Sequence, residues 1–486
     1  MADTQNAPEL TLPPPGHWIE GIHVDAVSGG RRELIDPASG EVAGVVAEGD
    51  ARDVDRAVAA ARRALPGWAA TTPADRALAL LRLADRIEEH SSALAAVEAA
   101  NTGKPLAAAE AEIPFVVDNL RFFAGAARTP SAQAAGEYAE GYTSMLRREP
   151  VGVVAAIAPW NYPLMMAAWK IGPALAAGNP VVLKPAELTP LTALMLGELA
   201  SDLFPPGVFA VVTGDGEGVG AALVGHRDVA MITLTGEVST GQTIATAAAR
   251  RLARTHLELG GKAPMLVFDD ADPAVVASVA AMCGFGNTGQ DCTAACRLLV
   301  SPRIHDEVVD AVTAAAEAVR VGGPFEPDVD VGPLISSEHR DRVSGFVERA
   351  RAAGAQVTTG ATTTGRDGWF FAPTVFVGAA QDAEIVQSEV FGPVVTIQQV
   401  DDANMVDVAQ DVRYSLAASV WTRDVSRAMG LARELHVGTV WINDHFPLVS
   451  EMPHGGFGMS GHGKDLSTAA LDAYSDLKHV IVNLNR

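Results

Sequence analysis

From residue 151 onward, short apolar runs alternate with stretches whose apolar residues recur at helical spacing. The runs are 151–158, 181–183, 209–212 and 229–234, and a helical pattern follows each, reaching Ala177 after the first and covering about 190–203 after the second. Apolar runs this short, bounded by turn residues, fit buried strands. Strand and helix in alternation predict an α/β chain: a parallel sheet, helices on its faces and right-handed crossovers. Ligands of such sheets bind at the carboxyl ends of the strands. Asn161, Lys184 and the Thr235-Gly236 turn directly follow predicted strands and therefore belong to that side. Past Glu258 the alternation resumes, with strands at 265–268, 298–300, 394–400 and 439–443 and helices near 272–285, 305–320 and 337–353. Glu258 is read as the start of a second α/β unit.

Earlier residues follow other patterns. Residues 16–50 mix short apolar runs with Gly and Pro, a strand-rich entry. Residues 51–90 predict two helices, the first capped by Asp50, and another helix covers 109–125. Residues 126–149 are small, polar and Gly-bearing and end in the strand-like Tyr142-Thr143-Ser144-Met145-Leu146. In the tail, Val480, Val482 and Leu484 alternate with His479, Ile481 and Asn483, as in a strand seeking a sheet edge.

A length of 486 residues allows two or three domains. The net charge of −23 disfavours nucleic acid and anionic membrane as partners. Three cysteines make no disulfide framework, which fits a reducing cytoplasm. The polar, Pro-rich start has no apolar h-region, and no run approaches the roughly 18 apolar residues of a membrane span. The expectation is a cytoplasmic protein without a metal site.

Candidate chemistry begins at Phe285-Gly286-Asn287-Thr288-Gly289-Gln290-Asp291-Cys292-Thr293-Ala294-Ala295-Cys296-Arg297. A cysteine just past a glycine turn can present its thiol and its backbone N–H to one space, as a nucleophile with an oxyanion donor requires. Cys283 and Cys296 read as ordinary buried small residues. Gly-Gln-x-Cys followed by a positive residue resembles the nucleophile motif of the aldehyde dehydrogenase superfamily. Four more signatures of that family occur in family order: Pro159-Trp160-Asn161-Tyr162-Pro163, Lys184-Pro185-Ala186-Glu187, Leu257-Glu258-Leu259-Gly260-Gly261-Lys262 and Glu389-Val390-Phe391-Gly392-Pro393. Gly-Gln-Asp-Cys-Thr-Ala-Ala-Cys-Arg together with Val449-Ser450-Glu451-Met452-Pro453-His454-Gly455-Gly456 is similar to the bacterial 4-aminobutyraldehyde dehydrogenases.

The resemblance implies a Rossmann-like cofactor domain over 1–125 and 149–257, a catalytic domain over 258–460, and oligomerisation elements at 126–148 and 475–486. The tail would pair with the hairpin of another subunit, in a homodimer or homotetramer. It implies Cys292 as nucleophile, Asn161 as oxyanion donor and Glu258 as general base. NAD is the implied cofactor, with Lys184 and Glu187 on the adenosine ribose and Glu389 and Phe391 at the nicotinamide ribose and ring. A carboxylate at Glu187 would repel a 2′-phosphate and so favour NAD over NADP. Trp160 and Leu259 line the same cleft. Gly220, in a glycine-rich turn, is a weaker dinucleotide signal. Thr235-Gly236-Glu237 lies between a strand and a helix, where free N–H groups can hold a pyrophosphate. Glu237 replaces the usual Ser, and its charge would repel a diphosphate unless the side chain turns away. Asp465 stands where many members carry a relay Glu and reads as a surface Asp. Lys262 and Arg297 support the site through hydrogen bonds.

A hydrolytic outcome follows from Glu258, which coenzyme A-acylating members lack. The implied substrate is a small aldehyde, 4-aminobutanal ahead of betaine aldehyde and other aminoaldehydes. Asp291 precedes the nucleophile, Tyr162 and Trp169 offer aromatic faces to an ammonium, and Phe115 and Asp118 share a helix face. His454 lies in the late segment. A cysteine hydrolase would need neither the Lys184–Glu187 pair nor Glu389–Phe391, and a purely structural member should have lost Cys292, Glu258 or Asn161.

Overall fold

The computed structural model describes residues 10–129 and 135–485. The first nine residues of the Pro-rich start, residues 130–134 of the expected hairpin and residue 486 lie outside the described residues. Two sheets organise the chain. The first has eight strands in the order Ile22–Val24, His17–Ile19, Phe209–Val211, Val181–Lys184, Val153–Ile157, Val229–Thr235, Arg254–Glu258 and Gly461–His462. Its five central strands are parallel, and only its two margins run antiparallel. The second has seven strands, from Gln356–Thr359 through Thr374–Val377, Val394–Gln399, Arg297–Val300, Pro264–Val267 and Ala417–Trp421 to Thr439–Ile442. Only Gln356–Thr359 is antiparallel there. The fold is α/β, and helices bury both faces of the first sheet.

Local chemistry sets the element ends. Asp50 accepts from the backbone of Arg52 and forms a capping box with Asp53, starting the helix Ala51–Ala69. Pro163 and Pro273 stand in the first turns of Pro163–Ala176 and Pro273–Phe285, where a missing N–H costs nothing. The helix expected at 109–125 runs from Leu106 to Arg128.

Two elements carry no sequence periodicity. Ser91–Thr102 is helical but buried nearly all round, Glu98 and Asn101 included, so it shows no amphipathic stripe. Arg254–Glu258 is a strand of polar composition whose His256 and Glu258 are buried. In register, Thr235 pairs with Glu258, so Glu258 closes the last parallel strand of the first sheet, and the second sheet begins at Pro264–Val267.

The tail corrects an expectation. Ser475–Asn483 pairs antiparallel with Tyr142–Pro150 of its own chain, Ser475 opposite Pro150 and Asn483 opposite Tyr142. The helix Ser467–Ala473 delivers the tail to that strand, and Arg254 pins the junction by donating to the carbonyls of Ala473 and Ser475. Ala135–Ala139 completes a three-stranded sheet. Among the described residues no helix is long and apolar enough to cross a membrane.

Candidate active site

The carboxyl ends of the first sheet face a cavity of about 240 Å³. Asn161 reaches it just after the strand Val153–Ile157, Thr235 and Gly236 at the end of Val229–Thr235, and Glu258 at the end of Arg254–Glu258. The opposite wall comes from the second sheet. Cys292 lies in the loop before Arg297–Val300, and Glu389 and Phe391 lie in the segment before Val394–Gln399. The helix Pro163–Ala176 contributes Met165, Met166 and Trp169, whose three- and four-residue spacing puts them on one face.

The Cys292 loop is built from an unusual turn. Asn287, Thr288 and Gly289 have φ of 47°, 58° and 67°, a left-handed run that a β-branched threonine rarely tolerates. Side-chain bonds hold it. Thr288 Oγ1 donates to the Gly332 carbonyl at 3.0 Å, Gln290 Nε2 to the Asn287 carbonyl at 3.0 Å, and Gln290 Oε1 accepts from the Ile335 N–H at 2.9 Å. Only glycine fits at 289, since a Cβ there would lie 2.1 Å from the Gly392 carbonyl oxygen. Asn161 Nδ2 donates to the Gln290 carbonyl at 3.0 Å, joining the oxyanion-donor candidate to the cysteine loop. Burial pushes the Cys292 thiol well above its usual range, and the Asp291, Glu258 and Glu389 carboxylates push it further.

Glu258 is buried and its Oε1 has no hydrogen-bond partner. Burial raises its carboxyl well above the usual carboxylate range, and Asp465 adds to the rise. His454 Nε2 stands 3.9 Å from Glu258 Oε2, and burial lowers this imidazole to about 4, so it is neutral. Asp465 is not a surface residue. It is fully buried, paired with Lys170 Nζ at 2.7 Å, and His256 Nε2 stands 3.7 Å from its other oxygen. A charge at this depth persists only when paired, and Lys170, itself fully buried, is the partner.

Toward the other end of the cleft, Trp160 packs edge-on against Phe391 and His339, both at 5.3 Å between ring centroids. His339 Nε2 bonds the Phe391 carbonyl at 2.6 Å and holds it at φ 58°. Glu389 Oε1 accepts from the Gly261 N–H at 2.9 Å, and burial lifts its carboxyl to about 7. Behind Thr235, Lys184 Nζ sits 3.3 Å from Glu187 Oε2.

Comparison with known proteins gives this constellation its context. Residues 23–480 match the family model described as "Aldehyde dehydrogenase family". An aldehyde dehydrogenase of Emericella nidulans is 41% identical over 471 residues, 96% of this chain and 95% of that protein. The chain belongs to the aldehyde dehydrogenase family. A betaine aldehyde dehydrogenase of Bacillus subtilis is 37% identical over 474 residues, 96% of this chain and 97% of that one. Among solved structures, betaine aldehyde dehydrogenase from Staphylococcus aureus in complex with NAD+ superposes with a TM-score of 0.96 at 37% identity, covering 98% of this chain and 95% of that one. This aldehyde dehydrogenase is NAD-dependent.

Its own residues fit NAD. Thr235 Oγ1 is buried without a partner where the helix Val238–Ala249 begins, so a donor waits beside free helix N–H groups. Lys184, buried, and Glu187, half-buried, offer a cation and an acceptor side by side. Gly220 lies against the Lys184 stem, where a Cβ would meet Cδ at 3.7 Å. Leu259 lines the cavity between Glu258 and Gly260. Glu237 occupies the N-cap position of that helix without bonding its N–H groups, and it is exposed at the cavity rim.

Of the residues expected at the substrate end, Tyr162, Trp169, Asp291 and His454 line the cavity. Phe115 does not; it packs behind Trp169 at 6.1 Å. Asp118 is outside as well, exposed on its helix and accepting from Ser450 Oγ. Cys283 is buried in the second sheet's core, and Cys296 does not line the cavity. Arg297 donates to the carbonyls of Val408 and Ala409, away from the cleft, and Lys262 makes no hydrogen bond. Sequence reading missed Met165, Met166, Leu448, His339, Arg342 and Lys170. The methionines carried a signal, since they share a helix face with Trp169; His339, from a helix remote in sequence, carried none.

Proposed function

We propose that this enzyme oxidises a small cationic aldehyde to its carboxylate, with 4-aminobutanal foremost. One observation carries the charge preference. Glu237, Glu258, Asp291, Glu389 and Asp465 line the cavity; among the described residues Arg342 is the one Lys or Arg in that lining, and of the five carboxyls Asp465 is already paired, with Lys170 behind the wall. Trp160 and Trp169 add aromatic faces, each worth about 0.5–2 kcal/mol to an ammonium. One face of Tyr162 is already taken by Lys104, whose Nζ lies 4.3 Å from the ring centroid.

The chain's groups divide the work as follows. The Cys292 thiol loses its proton to Glu258, a base on the same cavity, and adds to the aldehyde carbon. The Asn161 amide and the Cys292 N–H hold the resulting oxyanion, and losing one such donor costs on the order of 100-fold in rate. NAD, which Lys184, Glu187 and Glu389 would hold, would supply the acceptor for the hydride that leaves the hemithioacetal carbon as the oxyanion collapses to a thioester. Once Glu258 has passed the thiol proton to solvent, it takes a proton from the water that cleaves the thioester on Cys292 and returns it to the departing thiolate, and the released acid ionises to the carboxylate. Glu187 favours NAD over NADP by repelling a 2′-phosphate.

We propose a homo-oligomer as the working form. Leu477 and Ile481 on one face of the tail strand and Val482 on the other are 61%, 52% and 42% exposed, apolar surface that association would bury.

Betaine aldehyde is the second reading, favoured by the names of the Bacillus and Staphylococcus relatives. The test compares kcat/KM for 4-aminobutanal, betaine aldehyde and butanal at saturating NAD. Both cations should exceed butanal, and Asp291→Asn should shrink that advantage more than it harms butanal. Equal kcat/KM for 4-aminobutanal and butanal would end the charge argument, and betaine aldehyde well ahead of 4-aminobutanal would make it the substrate.

A further inference from the structure

A second cavity, of about 130 Å³, lies apart from the active cleft and is lined by Lys262, Gln410, Tyr414 and His436 among others. Lys262 is 2% exposed, and among the described residues its Nζ has no acceptor or carboxylate partner within hydrogen-bond distance. Tyr414 is buried; its oxygen accepts from the Glu389 N–H at 3.4 Å and from Arg413 at 3.0 Å, and its own O–H has no acceptor. Gln410 spends its Oε1 on the His436 N–H at 2.7 Å and leaves its NH₂ unpaired. The His436 ring stacks on Phe457 at 4.8 Å and bonds through neither nitrogen. Among the described residues no Asp or Glu lines the space.

A buried ammonium that makes no hydrogen bond is costly; the Glu389 carboxylate acts on Lys262 only from a distance, and the Tyr414 hydroxyl on the same cavity is a second donor without an acceptor. Gln410 and His436 are exposed, so the cavity opens to solvent at their end while Lys262 closes its depth. We propose that this cavity is a binding site for a small oxyanion, inorganic phosphate, sulfate or a short carboxylate, held by Lys262 Nζ and the Tyr414 hydroxyl. Its volume admits a group of that size and no nucleotide. The site also has a line to the active cleft: the Tyr414 oxygen holds the backbone N–H of Glu389, and the Glu389 side chain lines the active cavity. An anion that fixes the Tyr414 hydroxyl therefore alters the KM for NAD more than it alters kcat.

The experiment is titration calorimetry on the full chain with NAD saturating, so that the pyrophosphate site is filled. Inorganic phosphate, sulfate and acetate are added separately, with sodium chloride holding the ionic strength. Saturable binding of at least one oxyanion, weakened about tenfold or more in Lys262→Met and also weakened in Tyr414→Phe, is the expected result. Acetate binding without phosphate binding would assign the site to carboxylates, and the reverse to tetrahedral anions. Should Lys262→Met fail to fold, Tyr414→Phe, which keeps the ring, decides alone. Absence of saturable binding in the wild type, or wild-type affinity in the variants that fold, overturns the proposal.

Discussion

Gly455 gives the sharpest test of how the general base is held. A Cβ built there would lie 2.1 Å from Glu258 Oε1 and 3.0 Å from the Gly463 carbonyl oxygen, and the backbone sits at φ +140°. Gly455→Ala therefore carries two separate costs. Holding alanine at that φ costs about 1–3 kcal/mol of stability. Relieving the contact moves the Glu258 carboxylate by about 1 Å, and a misplacement of that size costs roughly 100-fold in rate. The control is Gly463→Ala. Its φ is also positive, at +92°, but the added carbon meets His256 Cδ2 at 2.2 Å and leaves Glu258 untouched. Both variants should lose thermal stability. Only Gly455→Ala should accumulate acyl-enzyme, seen by intact mass after rapid mixing, with steady-state NADH production down about 100-fold. A Gly455→Ala enzyme that turns over within about threefold of wild type would show that the carboxylate has room to spare and that its observed position is not the working one.

Three further outcomes follow from the same geometry. Cys292→Ala should abolish NADH formation while leaving NAD binding near normal, and Cys296→Ala should keep most activity; the reverse pattern in paired activity and NAD-binding assays would misplace the nucleophile. Lys170→Met should destabilise the fold by about 3–5 kcal/mol, because it strands a fully buried Asp465, and adding Asp465→Leu should restore much of that; urea unfolding of the three proteins reads the difference, and a silent single variant refutes the pair's role. Burial raises both the Cys292 thiol and the Glu258 carboxyl, so their reactive ionised forms gain population only as pH rises, and kcat/KM should climb through neutrality into the alkaline range. The sign for stability is opposite: a folded state that prefers these protons loses stability as pH rises past the unfolded values. A flat pH–rate profile would contradict the assignment.

The parallel core of the first sheet was legible because its strands are continuous apolar runs, and the cysteine loop because glycines bracket a single thiol. Other features are invisible to periodicity. Arg254–Glu258 is a strand by virtue of its neighbours, with His256 bonded to Thr233 at 3.1 Å inside the sheet, and nothing in Arg-Thr-His-Leu-Glu announces it. Asp465 looked like a surface residue because its partner Lys170 lies 295 positions away. Asp118 and Phe115 share a helix face as expected, but the helix turns that face behind Trp169 rather than into the cleft. Spacing along one element tells which residues travel together, while the packing of elements decides what they meet.

The crowding of acids around the cleft has one more consequence. Glu389 is lifted by burial to about 7, so near neutrality it is close to half protonated. Burial raises the Glu258 carboxyl well above the usual carboxylate range as well, and Asp465 adds to the rise. A cation entering this cavity favours the ionised form of every carboxyl it faces, and by linkage its binding must expel protons. Two cationic occupants are in view, the pyridinium ring of NAD and the ammonium of an aminoaldehyde. Binding NAD near neutrality should therefore release up to about half a proton from Glu389. Calorimetry in two buffers of different ionisation enthalpy measures that number directly. Glu389→Gln should abolish the release, since the amide keeps its shape but cannot titrate. A binding heat independent of the buffer would mean that Glu389 is already ionised before the cofactor arrives, with Arg342 and Lys262, which both favour its charged form, outweighing its burial.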